Sequence, residues 1–391
     1  MSHLHPTDLQ GLSQLAVDGV LGTTSLVEEM HYAISRVSGP SLPSKDRRTR
    51  GITGLVYRSI HGITGLVGAT TDLAMRQILP RLPEPASTPE RDRVLAALNG
   101  VLGDHLEATA NPLALPMRLL YQGRTLTPDQ DRLAGLIQST NGRIAVFVHG
   151  LCMSDHHWTP DSQDSDRADL TQTIHEKAGY LPLRLSYNTG RPIHANGREF
   201  AHRLEALLRN WPAPIDELIL VGHSMGGLVA RSACHHAQLA GHDWVGQTRQ
   251  LITLGSPHHG APLERIGHQV DRALALTPFS RPFTRLGGIR SAGITDLRFG
   301  NLSADEGLPQ DPPNLRICAV AACLGSRPQE TRSRLLGDGL VPVDSALGRH
   351  PNPQRHMTLP SENQTLLCAV GHLDLPTHPD VAATLLRWLR G

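Results

Sequence analysis

Neither sign of charge prevails in this chain, where 37 Lys and Arg stand against 36 Asp and Glu. Without a net field there is no bulk attraction to nucleic acid or to an anionic surface, so no nucleic-acid partner is expected. Cysteine is also scarce. Cys152, Cys234, Cys318, Cys323 and Cys368 are an odd, dispersed set among 391 residues, with no Cys-x-x-Cys pair. Such a set argues against a disulfide framework and a structural zinc site, and it suits a reducing compartment. Long apolar runs are missing too. The least polar stretch, about residues 51–79, is interrupted by Arg58, His61, Asp72 and Arg76, so it falls short of the ~18 uncharged apolar residues of a spanning helix. The opening residues Met1-Ser2-His3-Leu4-His5-Pro6 lack the basic and apolar regions of a signal peptide. The expectation is a soluble, cytoplasmic protein. The 22 histidines are scattered rather than spaced as metal ligands, and neither a metal nor a cofactor is implied.

What is present is a core. Hydrophobic residues make up 39% of the chain, enough to exclude wholesale disorder, and the length suits one large α/β domain with additions.

Residues 1–86 read as a helical segment. Ser25 followed by Glu28 has capping-box spacing, and Leu26, Val27, Met30, Ile34 and Val37 then share a helical face. Residues 40–50 read as a polar linker. Next, Gly51-Ile52-Thr53-Gly54-Leu55-Val56 returns as Gly62-Ile63-Thr64-Gly65-Leu66-Val67. The 11-residue offset is close to three helical turns, so both copies present one face. Glycines cost helix propensity and are expected where another backbone approaches closely. Two readings stand: a helix packed on the body of the protein, or a mobile or lipid-contacting cap over an active site. Pro80–Pro89 reads as a second linker, and Thr88-Pro89 as the start of a leading helix within 87–114.

Residues 87–391 read as one α/β domain. A short hairpin is expected at Met117–Thr127, and strands at Ile144–Val148, Leu181–Tyr187, Leu218–Val221, Gln250–Leu254, Leu315–Ala321 and Thr365–Val370. The first, fourth and last of these six are nearly unbroken apolar runs, as buried parallel strands are. Helices fit at Ala195–Asn210, Ser224–Ala240 and Pro379–Arg390. This alternation describes a mostly parallel sheet with helices on both faces. A long stretch, 261–312, carries Leu263, Ile266, Val270, Ala273 and Leu274 at helical spacing. It reads as a lid-like insertion with an acyl pocket, or equally as an amphipathic helix packed on the core.

The chemistry centres on Glu217-Leu218-Ile219-Leu220-Val221 running into Gly222-His223-Ser224-Met225-Gly226-Gly227. A Gly-x-Ser-x-Gly sequence gains meaning between a strand and a helix. The turn is so sharp that side chains at 222 and 226 would collide with the chain. Ser224 is left exposed on the elbow as a nucleophile, with a helix N-terminus behind it. A serine needs a base, and the base an orienting acid, in the order serine, acid, histidine on such a sheet. His372 follows the last strand and is preferred to His378 as base. Asp338, between Gly337 and Gly339, is preferred to Asp344 as acid, because Asp344 precedes Ser345-Ala346 and reads as a helix cap. Oxyanion donors are expected from the amides of Met225 and of Leu151, after His149-Gly150.

Together, Val146–Leu151, Gly222–Gly227, Gly255-Ser256-Pro257-His258-His259-Gly260, Asp338 and His372 resemble bacterial lipases and esterases of the α/β-hydrolase superfamily. The chain is also similar to triacylglycerol lipases and to inositol-deacylase-like proteins, over about residues 115–391. The resemblance implies an α/β-hydrolase fold and carboxylic ester hydrolysis through an acyl-enzyme, with Ser224, Asp338 and His372 in the matching positions. Some secreted relatives hold calcium near the catalytic histidine. Asp374 lies near His372 but has no matching second carboxylate, so no metal is assigned. Asp155-His156-His157-Trp158 and His258-His259 are read as packing and turn elements. The expected substrate is a small-molecule or lipid ester with a medium or long acyl chain. Acyl transfer, thioester hydrolysis and a non-catalytic binding protein remain as alternatives.

Overall fold

The computed structural model describes residues 5–37, 51–78, 87–127, 142–160, 164–262, 291–303, 311–326 and 335–390. The linkers expected at 40–50 and Pro80–Pro89 lie wholly or mostly outside these residues, as do Leu263, Ile266, Val270, Ala273 and Leu274 of the expected insertion. The chain forms two compact units: Met1–Arg91 with Ala108–Leu113, and Asp92–Glu107 with Ala114–Gly391.

In the first unit, α1 (Pro6–Val37) and α2 (Gly51–Ile78) pack side by side. α1 begins far upstream of the expected start, and Ser25 lies in its interior. The deciding signal is Pro6 at the first helical position with Asp8 behind it, whose carboxylate accepts the His5 amide at 2.9 Å. Gln10 and Gln14 both donate to Asp72 of α2 at 2.6 Å. The second copy's glycines do not mark a close backbone approach: a Cβ added at Gly62 or Gly65 meets nothing within 4 Å. The tight contact is one turn later, where a Cβ on Gly68 would come 2.9 Å from Val17.

Thr88 caps α3 (Pro89–Ala108), its hydroxyl accepting the Arg91 amide at 3.3 Å. α3 runs past Gly100 and Gly103 because both glycines face neighbours in the second unit. A Cβ on Gly100 would meet Cys152 Sγ at 2.2 Å, and one on Gly103 would meet Asn188 at 1.8 Å.

Among the described residues, the second unit is built on an eight-stranded sheet. β1 (Arg118–Tyr121) and β2 (Arg124–Thr125) form the antiparallel hairpin read from sequence. Then follow β3 (Arg143–Val148), α4 (Leu170–Ala178), β4 (Leu181–Ser186), α5 (Ile193–Arg209), β5 (Glu217–His223) and α6 (Met225–Ala240). After these come β6 (Thr248–Leu254), α7 (Ala292–Phe299), β7 (Arg316–Cys323), β8 (Gln364–Cys368) and α8 (Pro379–Arg390). The strand order is β2-β1-β4-β3-β5-β6-β7-β8, with β4 to β8 parallel through β3 and β5. This is the α/β-hydrolase fold. β3, β5 and β6 are buried almost throughout, as apolar central strands are.

β8 departs from expectation. It is the last strand of the sheet and only half-buried along its length, because among the described residues no strand covers its outer edge. Within the stretch 261–312, α7 is capped by Ser291, whose hydroxyl donates to the Gly100 carbonyl at 2.7 Å. Ile294 and Leu297 are buried, so this described part of the stretch is packed on the body.

Candidate active site

The elbow after β5 has the geometry that its glycines imply. Ser224 adopts φ 53° and ψ −124°, a left-handed conformation that is strained for a residue with a Cβ. A Cβ on Gly222 would lie 2.4 Å from the Gly227 Cα, and one on Gly226 would lie 2.1 Å from the Val148 carbonyl oxygen. The Ser224 amide donates to the Leu254 carbonyl at 2.9 Å, tying the elbow to β6.

Asp338 and His372 come from loops beyond β7 and β8 and meet in the interior. The Nδ1–H of His372 donates to Asp338 Oδ2 at 2.7 Å, and the His372 amide donates to the Asp338 carbonyl at 3.0 Å. Asp338 Oδ1 accepts the amides of Leu340 at 3.0 Å and Val341 at 2.8 Å, which fixes the carboxylate. Gly337 and Gly339 both have positive φ, and a Cβ on Gly337 would strike the Val341 carbonyl at 1.8 Å. Ser224, Asp338 and His372 are all buried, so Ser224 is not exposed on the elbow as the sequence implied, because the surrounding strand ends and loops close over it. Ser224 Oγ and His372 Nε2 each have no hydrogen-bond partner among the described residues.

Met225 is the first residue of α6, where a helix leaves its amides without internal acceptors. Gly150 lies against the elbow, since a Cβ there would meet the Ser224 Cβ at 3.0 Å. Leu151 follows it in a tight turn closed by the Met153 amide on the Gly150 carbonyl at 3.2 Å. The Cys152 amide donates to Thr189 Oγ1 at 3.2 Å. The Tyr187 hydroxyl donates to the His149 carbonyl at 2.8 Å, and its ring stacks on His149 at 4.6 Å. Burial pushes His149 down to about 3.

Two residues escaped the sequence reading. His223 is buried, and its Nε2 donates to the His372 carbonyl at 3.0 Å. Burial drives it well below the usual histidine range, so it is neutral. Gly255, at φ 58°, stands beside the acid–base pair: a Cβ there would come 3.0 Å from Asp338 Oδ2 and 3.2 Å from His372 Nδ1. The motif Gly255-Ser256-Pro257 was a signal for Gly255, but its role depends on contacts across three strands.

Other candidates lie elsewhere. Asp344 is not a cap: Pro342 takes that position, and Asp344 sits exposed in the first turn of Val343–Ala346, 3.5 Å from Arg349. Asp374 accepts Arg167 at 2.5 Å and the Gly371 amide at 3.1 Å. Among the described residues, no group of three or more His, Cys, Asp or Glu is placed to hold a metal ion. His156 bonds Asp92 at 3.0 Å, and Trp158 packs edge-on to Phe147 at 5.1 Å. His258 is buried beside Thr253 at 3.3 Å, a turn element as read.

A family model described as PGAP1-like alpha/beta domain matches residues 139–275. Among solved structures, the chain is similar to a mature lipase of Bacillus licheniformis, at 20% identity and TM-score 0.43, covering 63% of this chain and 91% of that one. It is similar to esterase B of Lactobacillus rhamnosis at 14% identity and TM-score 0.36, covering 75% and 94%. A Pyrobaculum calidifontis esterase gives 12% identity and TM-score 0.40, covering 81% and 96%. No curated protein matches the chain.

Proposed function

This chain carries the α/β-hydrolase fold, and from that premise we propose that it hydrolyses carboxylic esters through an acyl-enzyme on Ser224. Asp338 and His372 serve as acid and base, and the Leu151 and Met225 amides bind the oxyanion. The observation that carries the reading is the 2.7 Å bond from His372 Nδ1 to Asp338, which turns the bare Nε2 into a proton acceptor.

Ser224 Oγ attacks the ester carbonyl carbon while its proton passes to His372 Nε2. The oxyanion is held by the two amides, and removing such a donor costs about 3–4 kcal/mol of transition-state stabilisation. The intermediate collapses, and the alcohol leaves with the proton from Nε2. Water then attacks the acyl-enzyme, giving its proton to Nε2, and the carboxylic acid departs. His372 becomes cationic in each step, and the fixed Asp338 carboxylate stabilises that charge. A thioesterase differs only in the leaving group, and an acyltransferase only in the acceptor. The preference for medium or long acyl chains rests on the apolar spacing from Leu263 to Leu274. A reducing, cytoplasmic setting rests on the cysteine pattern.

A fluorophosphonate probe tests the mechanism. Wild type is expected to be labelled, and Ser224→Ala not. Equal labelling of the two, or none of the wild type, refutes it. Nitrophenyl esters of rising chain length then read the acyl preference.

Lipid contact through the N-terminal helices is supported by a specific observation. Leu55, Val56, Ile63, Leu66, Val67 and Leu73 of α2 are each more than half exposed. At about 100° per residue they share an arc of about 120°. That arc is opposite the side carrying Tyr57, Gly68 and Asp72, which faces α1. Arg58 stands about 60° beyond one edge of the stripe, where it suits an anionic headgroup, whereas Arg76 is paired with Asp72 at 2.7 Å. No described helix is long and apolar enough to cross a membrane.

A further inference from the structure

Cys323 ends β7 and Cys368 ends β8, and the two are partners in the parallel register. The Cys323 thiol points at Cys368 Sγ, with the sulfurs 3.5 Å apart. Strands in a sheet run about 4.8 Å apart, inside the Cα separation that disulfides span. Cys323 is buried and Cys368 half-buried. Burial pushes the Cys323 thiol up to about 11, so Cys368 is the sulfur that meets a solute first.

Both sulfurs sit at the base of the acid–base pair. The Cys323 carbonyl accepts the Val370 amide at 3.1 Å, two residues before His372. The next residue, Leu324, donates to the Gly337 carbonyl at 2.9 Å, immediately before Asp338. Beyond Cys368, Ala369 takes φ 57° and donates to the Gly325 carbonyl at 3.1 Å. The strand ends thus hydrogen-bond to residues flanking Asp338 and His372, a route by which a pull between the sulfurs can reach both partners of the pair.

We propose that Cys323 and Cys368 are a reversible thiol–disulfide site, oxidised by a low-molecular-weight disulfide such as oxidised glutathione, and that its closure displaces the Asp338–His372 pair. The Cys368 thiolate attacks one sulfur of the oxidant, forming a mixed disulfide and releasing one reduced thiol. Cys323 sulfur then attacks Cys368 Sγ, and its proton leaves with the second thiol. The dithiol loses two electrons and two protons, and one small disulfide becomes two thiols. A bond of about 2.05 Å replaces the 3.5 Å contact, an approach of about 1.5 Å shared between rotation of the two side chains and shifts of the strand ends that carry them. Cys152, Cys234 and Cys318 are buried single thiols and take no part.

The experiment incubates the full chain with oxidised glutathione, then alkylates under denaturing conditions and maps disulfide-linked peptides by mass spectrometry. One Cys323–Cys368 linked peptide, removed by dithiothreitol, is expected. Cys323→Ser should instead retain glutathione on Cys368, and Cys368→Ser should do neither. No linked peptide in wild type, or one joining other cysteines, overturns the proposal. Fluorophosphonate labelling of Ser224 is read on the same samples. Oxidation is expected to slow it about tenfold in wild type, less than the ~100-fold of a full 1 Å misplacement, and to leave Cys323→Ser unchanged. Equal labelling of oxidised and reduced wild type overturns the displacement. This last effect rests on the hydrolase reading, whereas the linked peptide does not. Absence of any labelling therefore refutes the serine mechanism separately from the disulfide.

Discussion

His223 Nε2 donates to the main-chain carbonyl of His372 at 3.0 Å, so the residue before Ser224 holds the backbone of the proposed base. The two rings lie 4.8 Å apart, and His223 is buried and neutral. His223 is a positioning residue. His223→Ala leaves a buried carbonyl unpaired, which costs about 1–3 kcal/mol. It is expected to lower kcat about tenfold with little change in KM, and His223→Gln, which retains a donor, should recover most of that loss. Ester-hydrolysis kinetics on the two variants check this, and indistinguishable variants would refute the role.

The acid has a sharper test. Asp338→Asn keeps an oxygen for the Leu340 and Val341 amides but presents an NH2 to Nδ1–H, which favours the wrong histidine tautomer. A fall in kcat of about 10³–10⁴ is expected with a nearly unchanged melting temperature.

Glycine substitutions should split by sign. Gly226→Ala forces a Cβ to 2.1 Å from the Val148 carbonyl oxygen, and such overpacking costs about 3 kcal/mol or more. Gly62→Ala meets nothing within 4 Å on α2 and should add about 0.5–1 kcal/mol through helix propensity. Chemical denaturation of both variants measures this.

Acid should destabilise the fold before its carboxylates titrate. His149, His223 and His258 are buried and lowered by burial, His149 to about 3. They stay neutral in the native chain, while the unfolded chain gains their protons below about pH 6.5. Their contribution is therefore complete above pH 6.5 and falls as pH drops toward about 3, by up to about 4 kcal/mol per pH unit for the three. Urea midpoints at stepped pH follow the loss, and His149→Phe should reduce the slope by about a third.

Vesicle flotation tests the α2 stripe. Wild type should float with vesicles containing phosphatidylglycerol, and Ile63→Glu with Leu66→Glu should abolish this while leaving helicity intact. A wild type that stays at the bottom of the gradient, or a variant that still floats, ends the lipid reading.

Signals confined to a few consecutive residues were legible before folding. An apolar run, then Gly222 and Gly226 around Ser224, specifies strand, sharp turn and helix. Gly337 and Gly339 likewise mark the turn that carries Asp338. The Pro6 and Asp8 start signal is equally local, whereas the Ser25–Glu28 spacing falls in the interior of α1 and marks no helix start there. The edge position of β8 was not legible, since an apolar strand reads alike at the centre and the margin of a sheet.

By itself, then, the sequence determined the alternation of strands and helices, the elbow at Ser224, and the order in which Asp338 and His372 follow it. Only the tertiary structure decided that His223 grips the His372 backbone, that Gly255 leaves room for the Asp338–His372 bond, that Cys323 meets Cys368, and that the aliphatic face of α2 points away from α1. The physical reason is range. Turns and periodicities are set by torsion angles and neighbouring side chains, whereas these four relationships join residues from 34 to 149 positions apart, and sheet register and helix packing bring them together.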